Sequence, residues 1–399
     1  MGLVNVLAKL IGISMVVAAV SCSSAVPIEE EPTRIADLAI RPEATSQLAT
    51  GIPPTITQVP IKPTPDVTEK PRATSKSTTR VPIKPASSEV STSIALFDAH
   101  NHKPKGLTAE KIISVMDQEN IAKVILMGKG PKWPSKATSR DDMTLGAYHQ
   151  FPDRIVPFIG LNGYKVEDLT PQFFDYLDRQ FEDGEFVGIG ELLSRHYSFS
   201  KESHGETVEA GNYDLPMDHP VVHDLMCLAS KHDVVLVVHM ESEDETILAL
   251  ERALAANPDT KVIWAHQTHP KTFGGSTEEH SHKANPRDIA RLLEEYPNLY
   301  ADIARGQESF HMTKGDRKIP GGWKNLYESH SDRFTIGYDM PFLVNWNSEK
   351  AIKGRSTIIH EWLSQLKPET QKKFAVANIE RILRDKPPKT TECSFLTRD

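Results

Sequence analysis

The sequence predicts an α/β protein whose folded part is a (β/α)8 (TIM) barrel, preceded by a long segment that builds no core. Three observations lead there. From Ile94 to about Pro387, short apolar runs alternate with amphipathic segments, the pattern of parallel strands joined by helices. The runs number eight, and eight βα units in about 290 residues match a closed barrel in count and size. No glycine-rich dinucleotide fingerprint follows the first run, which removes one support for the open, doubly wound alternative.

The strands are expected near residues 94–100, 122–128, 155–161, 186–190, 234–239, 261–266, 299–303 and 334–338. They are rich in Val, Ile, Leu and Phe and poor in charge, as strands covered on both faces should be. Helices fit between them. Thr170-Pro171 reads as an N-cap followed by proline at the first helical position, opening a stripe through Phe174, Leu177 and Phe181. Ser242 with Glu245 predicts a capping box ahead of Ile247, Leu248, Leu250 and Leu254. Asn285-Pro286 opens another helix, carrying Ile289, Leu292 and Leu293. Further helical segments fall near 108–120, 140–150, 219–232, 321–330 and 356–366. A last one near 369–385 carries Phe374, Ala377, Ile379 and Leu383. The barrel domain therefore spans 94–387, and 388–399 is a tail.

The N-terminal part has a different composition. In residues 1–22 Lys9 is the only charge, and an apolar stretch runs from about Leu10 to Val20. That is shorter than the ~20 residues a transmembrane helix needs and suits the apolar region of a signal peptide. Ala19-Val20-Ser21-Cys22 resembles the bacterial lipobox. The resemblance implies cleavage and a lipid on Cys22, hence an exported protein anchored to a membrane of the bacterial cell envelope. An ordinary secretory peptide cleaved nearby is the alternative. Residues 23–93 hold 11 of the 28 prolines, and no Phe, Trp or Tyr precedes Phe97. Val59-Pro60-Ile61-Lys62-Pro63 recurs as Val81-Pro82-Ile83-Lys84-Pro85. Such a segment cannot bury enough apolar surface to offset its ordering entropy and reads as a disordered tether. Cysteine is scarce: Cys22, Cys227 and Cys393 imply no disulfide framework, and Cys227, in an apolar helical pattern, reads as a small buried hydrophobe.

The chemistry lies where the strands stop. In a barrel of this kind functional groups stand at the C-terminal strand ends. The first strand ends in Asp98-Ala99-His100-Asn101-His102, where alternation puts both imidazoles on one face. The fourth, Phe186-Val187-Gly188-Ile189-Gly190, ends at Glu191; the fifth ends at His239, the sixth at His266, the eighth at Asp339. Each alone could be a hydrogen-bonded core histidine, a helix cap or an exposed strand end. Four histidines and two carboxylates gathered at one level would cost several kcal/mol in desolvation, a penalty that a divalent cation removes.

These motifs make the chain resemble the amidohydrolase superfamily, most closely its amidohydrolase-related group, with a secondary likeness to TatD-like hydrolases. They are Asp98-x-His100-x-His102, Gly188-Ile189-Gly190-Glu191, Val238-His239, Ala265-His266 and Gly337-Tyr338-Asp339-Met340-Pro341. Pro216-Met217-Asp218-His219-Pro220 and Asn378-Ile379-Glu380-Arg381-Ile382-Leu383 add to them. The resemblance implies a metal-dependent hydrolase with one or two divalent ions, zinc first, with Mn, Fe or Ni as alternatives. It implies that His100, His102 and Asp339 hold one metal and that Glu191 is a further or bridging ligand. His239 and His266 then complete a second site or orient the substrate, with His239 a catalytic candidate. Asp339 would be the general base that activates water against an amide, ester or lactone carbonyl of a small molecule.

The same family contains decarboxylases of aromatic acids, and the TatD-like features permit phosphodiester cleavage. Nucleic acid is disfavoured by charge: residues 94–399 carry 37 Lys and Arg against 46 Asp and Glu, a net −9, where a basic footprint is expected. A surface lipoprotein that only binds would show an eroded ligand set, and this one is complete. Lys103, Arg195 and Arg305 are the candidate substrate contacts, Arg305 through a bidentate clamp on a carboxylate or phosphate. His280-Ser281-His282 reads as a solvated loop, and Asp302, at the end of the seventh strand, as structural.

Overall fold

The computed structural model describes residues 94–135, 139–203, 205–266, 285–304 and 316–386. The signal segment, the tether, Cys22, Arg305, His280-Ser281-His282 and the tail lie outside the described residues. The chain divides after Lys84 into two units, and everything described belongs to the second.

Eight parallel strands appear where the apolar runs predict them. They are β1 (Leu96–Pro104), β2 (Ile121–Lys129), β3 (Ile155–Gly160), β4 (Gly188–His196), β8 (Val235–Met240), β9 (Val262–Ala265), β10 (Leu299–Ile303) and β11 (Phe334–Ile336), hydrogen-bonded in that order. The last strand returns to the first without a regular ladder. The seam is made instead by Asp339 N–H donating to His100 O at 2.8 Å and Tyr338 N–H donating to the Asp98 carboxylate at 2.9 Å. The result is the (β/α)8 barrel that the sequence predicts.

Helices α1 (Ala109–Gln118), α2 (Arg140–Gln150), α3 (Pro171–Glu182), α4 (Pro220–Lys231), α5 (Asp244–Ala256), α6 (Pro286–Glu295) and α7 (Gly321–Ser329) follow the strands. Local chemistry explains their starts. Thr170 accepts from Phe173 N–H, and Asn285 from Arg287 and Asp288 N–H, each ahead of a proline at the first turn. Two apolar layers result. Phe97, Ile125, Met127, Phe158, Val235, Val237 and Ile263 fill the barrel interior, with Ile379 and Ile382 of the last helix packed against them. Leu126, Leu192, Leu236, Trp264, Phe334 and Phe374 pack in the larger cluster outside. Each such buried side chain contributes about 1.5–3 kcal/mol. Gly188 leaves room for this interior: a Cβ there would lie 2.2 Å from the Phe158 ring.

Four expectations are corrected. Helix α5 is capped at Glu243, not Ser242, because Thr246 Oγ1 accepts from Glu243 N–H at 2.9 Å and takes the place assigned to Glu245. The helix expected from 356 begins at Glu349, where Ser348 caps it. The last helix is two α segments, Pro368–Lys372 and Asn378–Arg384, joined through a π turn at Lys373–Ala377. The stretch after Glu191 is structured: β4 runs on to His196, and β5 (Phe199–Ser203) pairs antiparallel with β6 (Glu206–Ala210) before β7 (Tyr213–Asp214) returns onto β4. Cys227 is buried on α4 as expected of a small apolar side chain, but it is disulfide-bonded. Among the described residues no helix is long and apolar enough to cross a membrane.

Candidate metal centre

The strand ends deliver their side chains to one buried point. His100, His102, Glu191, His239, His266 and Asp339 are each at most 4% exposed. Two triads with mutually close ligand atoms share His100: one with Glu191 and His266, the other with His102 and Asp339. Glu191 is the hub. Its Oε1 lies 3.0 Å from His266 Nε2 and 3.1 Å from His239 Nδ1, and its Oε2 3.4 Å from His102 Nε2. Asp339 Oδ1 is 3.3 Å from His102 Nε2, and its Oδ2 3.6 Å from His266 Nε2. His239 belongs to neither triad. It stands between Glu191 and Glu241, whose Oε1 is 3.6 Å from His239 Nε2.

Backbone and neighbouring side chains hold this geometry. His266 and Asp339 have φ of +49° and +44°, a left-handed conformation that costs non-glycine residues energy and is concentrated at functional sites. Both residues bring their side chains to the cluster, His266 to Glu191 and Asp339 to His102. Asp302, fully buried at the end of β10, sits 2.6 Å from His100 Nδ1 and accepts from His266 N–H at 2.8 Å. It thus fixes two candidate ligands at once, with His100 Nε2 turned inward. Asp98 is not a ligand. It accepts from His100 N–H, Asn101 Nδ2 and Tyr338 N–H, and burial pushes its carboxyl up to about 7 against those bonds.

The electrostatics follow from burial opposed by pairing. Burial would lower His100, but Asp302, Glu191 and Asp339 carry it up to about 10. Burial opposes the charge on His239 too, and Glu191 and Glu241 lift it to about 9. Burial would raise Glu191; His102, His239 and His266 hold it well below the carboxylate range instead. His266 is lowered, burial dominating. The donor set fits a divalent cation. His100 Nε2 and His102 Nε2 are buried with no hydrogen-bond partner among the described residues, and imidazole with carboxylate suits zinc and its neighbours. A cation entering here displaces protons from the imidazoles.

A family model described as Amidohydrolase matches residues 98–384. The chain belongs to the amidohydrolase family. It is an enzyme of that family. No curated protein matches the chain. Solved structures are similar to the chain at low identity. A dihydroxybenzoic acid decarboxylase from a Polaromonas species with bound manganese is 13% identical, with 73% of this chain and 97% of that one covered and a TM-score of 0.45. A probable 2-pyrone-4,6-dicarboxylic acid hydrolase from Acinetobacter baumannii is 14% identical, covering 73% and 99%, TM-score 0.43. An amidohydrolase from Burkholderia multivorans with bound zinc is 12% identical, covering 73% and 99%, TM-score 0.44.

Above the centre of this amidohydrolase barrel lies a cleft of about 210 Å³, with Glu191 and His239 in its lining. Its walls include Lys129, Asn162, His196, Tyr213 and Phe342. Asn162 Nδ2 is 3.5 Å from Glu191 Oε2. His196 Nδ1 lies 3.0 Å from Gly211 O, and its ring centroid is 4.9 Å from that of His239. Two expected substrate contacts do not line it. Lys103 is buried and donates to Leu107 O at 2.7 Å. Arg195 stacks on Tyr197, pairs with Glu243 at 3.6 Å and lines a separate surface cavity. Arg305 lies outside the described residues. Lys129 was not among the expected contacts, although Ile125-Leu126-Met127-Gly128-Lys129 alternates in a way that places it on the interior face.

Proposed function

We propose that the protein is a metal-dependent hydrolase acting on an amide, ester or lactone carbonyl of a small molecule. The observation that carries this reading is the buried cluster itself: two imidazole Nε2 atoms without hydrogen-bond partners among the described residues, converging with two carboxylates at a barrel mouth. His100, His102 and Asp339 would hold a divalent cation, zinc first, with Glu191 and His266 as the shared or second set. When bound, the cation supplies Lewis acidity and lowers the pKa of water toward roughly 7.

The chain does the rest. Asp339, at the mouth beside His102 and His266, takes the proton from the attacking water and returns it to the leaving group. His239, held between Glu191 and Glu241, orients the carbonyl and shares the proton load. The cleft suits a small substrate in size. The net negative charge of the domain argues against phosphodiester cleavage in nucleic acid. Asp339→Asn should leave the circular dichroism spectrum intact and lower kcat by about 10²- to 10⁴-fold or more. Near-normal turnover in that variant, or purified protein without transition metal by elemental analysis, would remove the basis of the reading.

The same proposal places the enzyme in the bacterial cell envelope, anchored by a lipid on Cys22. The apolar leader, the Ser21-Cys22 junction and the proline-rich stretch support export. Mass spectrometry of the mature N-terminus tests it: a chain that does not begin at a lipidated Cys22 ends the idea.

A further inference from the structure

We propose that Lys129 is the anion-recognising group of the cleft, and that the substrate carries a carboxylate set several bonds away from the carbonyl that reacts. The starting point is strand parity. Ile125 and Met127 belong to the apolar cluster inside the barrel, and a period of two puts Lys129 on the same inward face. Register sets the height. Met127 lies beside His102, and Lys129 beside Pro104, so Lys129 leaves the strand about 7 Å further out than the histidine. It therefore stands over the metal centre and not in it.

The cleft agrees. Lys129 lines it together with Glu191 and His239. Its Nζ lies 4.1 Å from the centroid of Phe342, which follows Asp339 by three residues and fixes the ammonium at the wall. The other two described cations that sequence order suggested, Lys103 and Arg195, do not line the cleft. Glu209, held by Ser200 at 3.0 Å, is also on the wall. With Glu191 below and Glu209 beside, a singly charged carboxylate meets less repulsion than a phosphate dianion. A lysine–carboxylate contact in this half-buried cleft is a charge-assisted hydrogen bond.

The inference about substrate rests on the hydrolase reading; the one about binding does not, and the test separates them. Metal-loaded full-length protein is assayed with the para-nitrophenyl monoester of glutaric acid and the para-nitrophenyl ester of pentanoic acid, equal in chain length and differing in the distal carboxylate. The wild type should favour the acid in kcat/KM by about tenfold to a hundredfold. Lys129→Met should bring the ratio near one, and Lys129→Arg should retain most of it. An unchanged ratio in Lys129→Met, or no preference in the wild type, overturns the proposal. If neither ester is turned over, the hydrolase reading fails, and glutarate binding by calorimetry decides the rest. About tenfold or greater weakening in Lys129→Met supports the assignment; equal or absent binding in wild type and variant overturns it.

Discussion

Asp302→Asn isolates one bond at the metal centre. Asp302 Oδ2 lies 2.6 Å from His100 Nδ1, and Oδ1 accepts from His266 N–H at 2.8 Å. In the asparagine variant the amide oxygen can still accept from His266 N–H. The amide nitrogen must then face His100 Nδ1 and donate to it. The imidazole proton is driven onto Nε2, the atom turned toward the centre, so the variant presents the wrong tautomer to a cation. A charge-assisted hydrogen bond contributes about 1.5–3 kcal/mol. Outer-shell partners of this kind set about ten- to a hundredfold of metal affinity, or about 1.4–2.7 kcal/mol, so the two routes agree. The assay is competition for zinc against a chromogenic chelator at fixed pH, with thermal unfolding of the metal-free protein alongside. Affinity should fall by that factor, and the metal-free Tm should fall as well, because Asp302 is the foremost group that raises the buried His100 imidazole and removing one partner of a buried pair is destabilising. Zinc affinity within about twofold of wild type would refute the reasoning, and so would an unchanged metal-free Tm.

Two further perturbations test the scaffold. Gly337→Ala places a Cβ 2.6 Å from His100 Cβ and 2.7 Å from His100 N at the barrel seam, so backbone must shift; a loss of about 1–3 kcal/mol in chemical denaturation, with weaker metal binding, is expected, and wild-type stability would contradict the close approach. Asp141 is buried, and desolvation lifts its carboxyl from 3.8 to about 6 despite hydrogen bonds from Gly160 N–H and Tyr176 Oη. A raised folded-state pKa favours the protonated form, so this contribution is present below about pH 4 and lost as pH rises through about 6, roughly 3 kcal/mol in all. Asp141→Asn should therefore gain on the wild type between those values and run parallel above them; Tm curves parallel across the whole range would contradict the assignment.

The strands and the ligand set were legible for the same reason. Strands covered on both faces must be apolar throughout, so the residue at which each run stops, Glu191, His239, His266 or Asp339, announces itself by contrast. His100 and His102 were legible through spacing. Asp302 was read as structural, and the bonds that it makes to His100 and His266 show what that structural part consists of. Residues 199–210 gave no such contrast. Among the described side chains the hairpin β5–β6 is mostly polar and exposed, with Val208 buried, so no period marks it.

Which way the polar side chains at the cleft turn is a separate problem, and β4 shows why. Counting by twos from Glu191 through Leu193 carries Arg195 into the cleft. The pairing with β8 is irregular at that point: Leu193 lies opposite His239, but Arg195 lies opposite Met240, so two residues on β4 advance against one on β8. A bulge of this kind reverses the alternation beyond it, and bulges re-aim side chains next to active sites. Arg195 consequently turns to Tyr197 and Glu243, while His196 lines the cleft beside His239. Lys129 is the converse: the ladder between β2 and β1 stays in step from Leu126 to Lys129, so simple alternation gives its direction. The residues that recognise a substrate are thus readable from the chain only where the local ladder stays in step, whereas residues that end a buried run are readable whatever the ladder does.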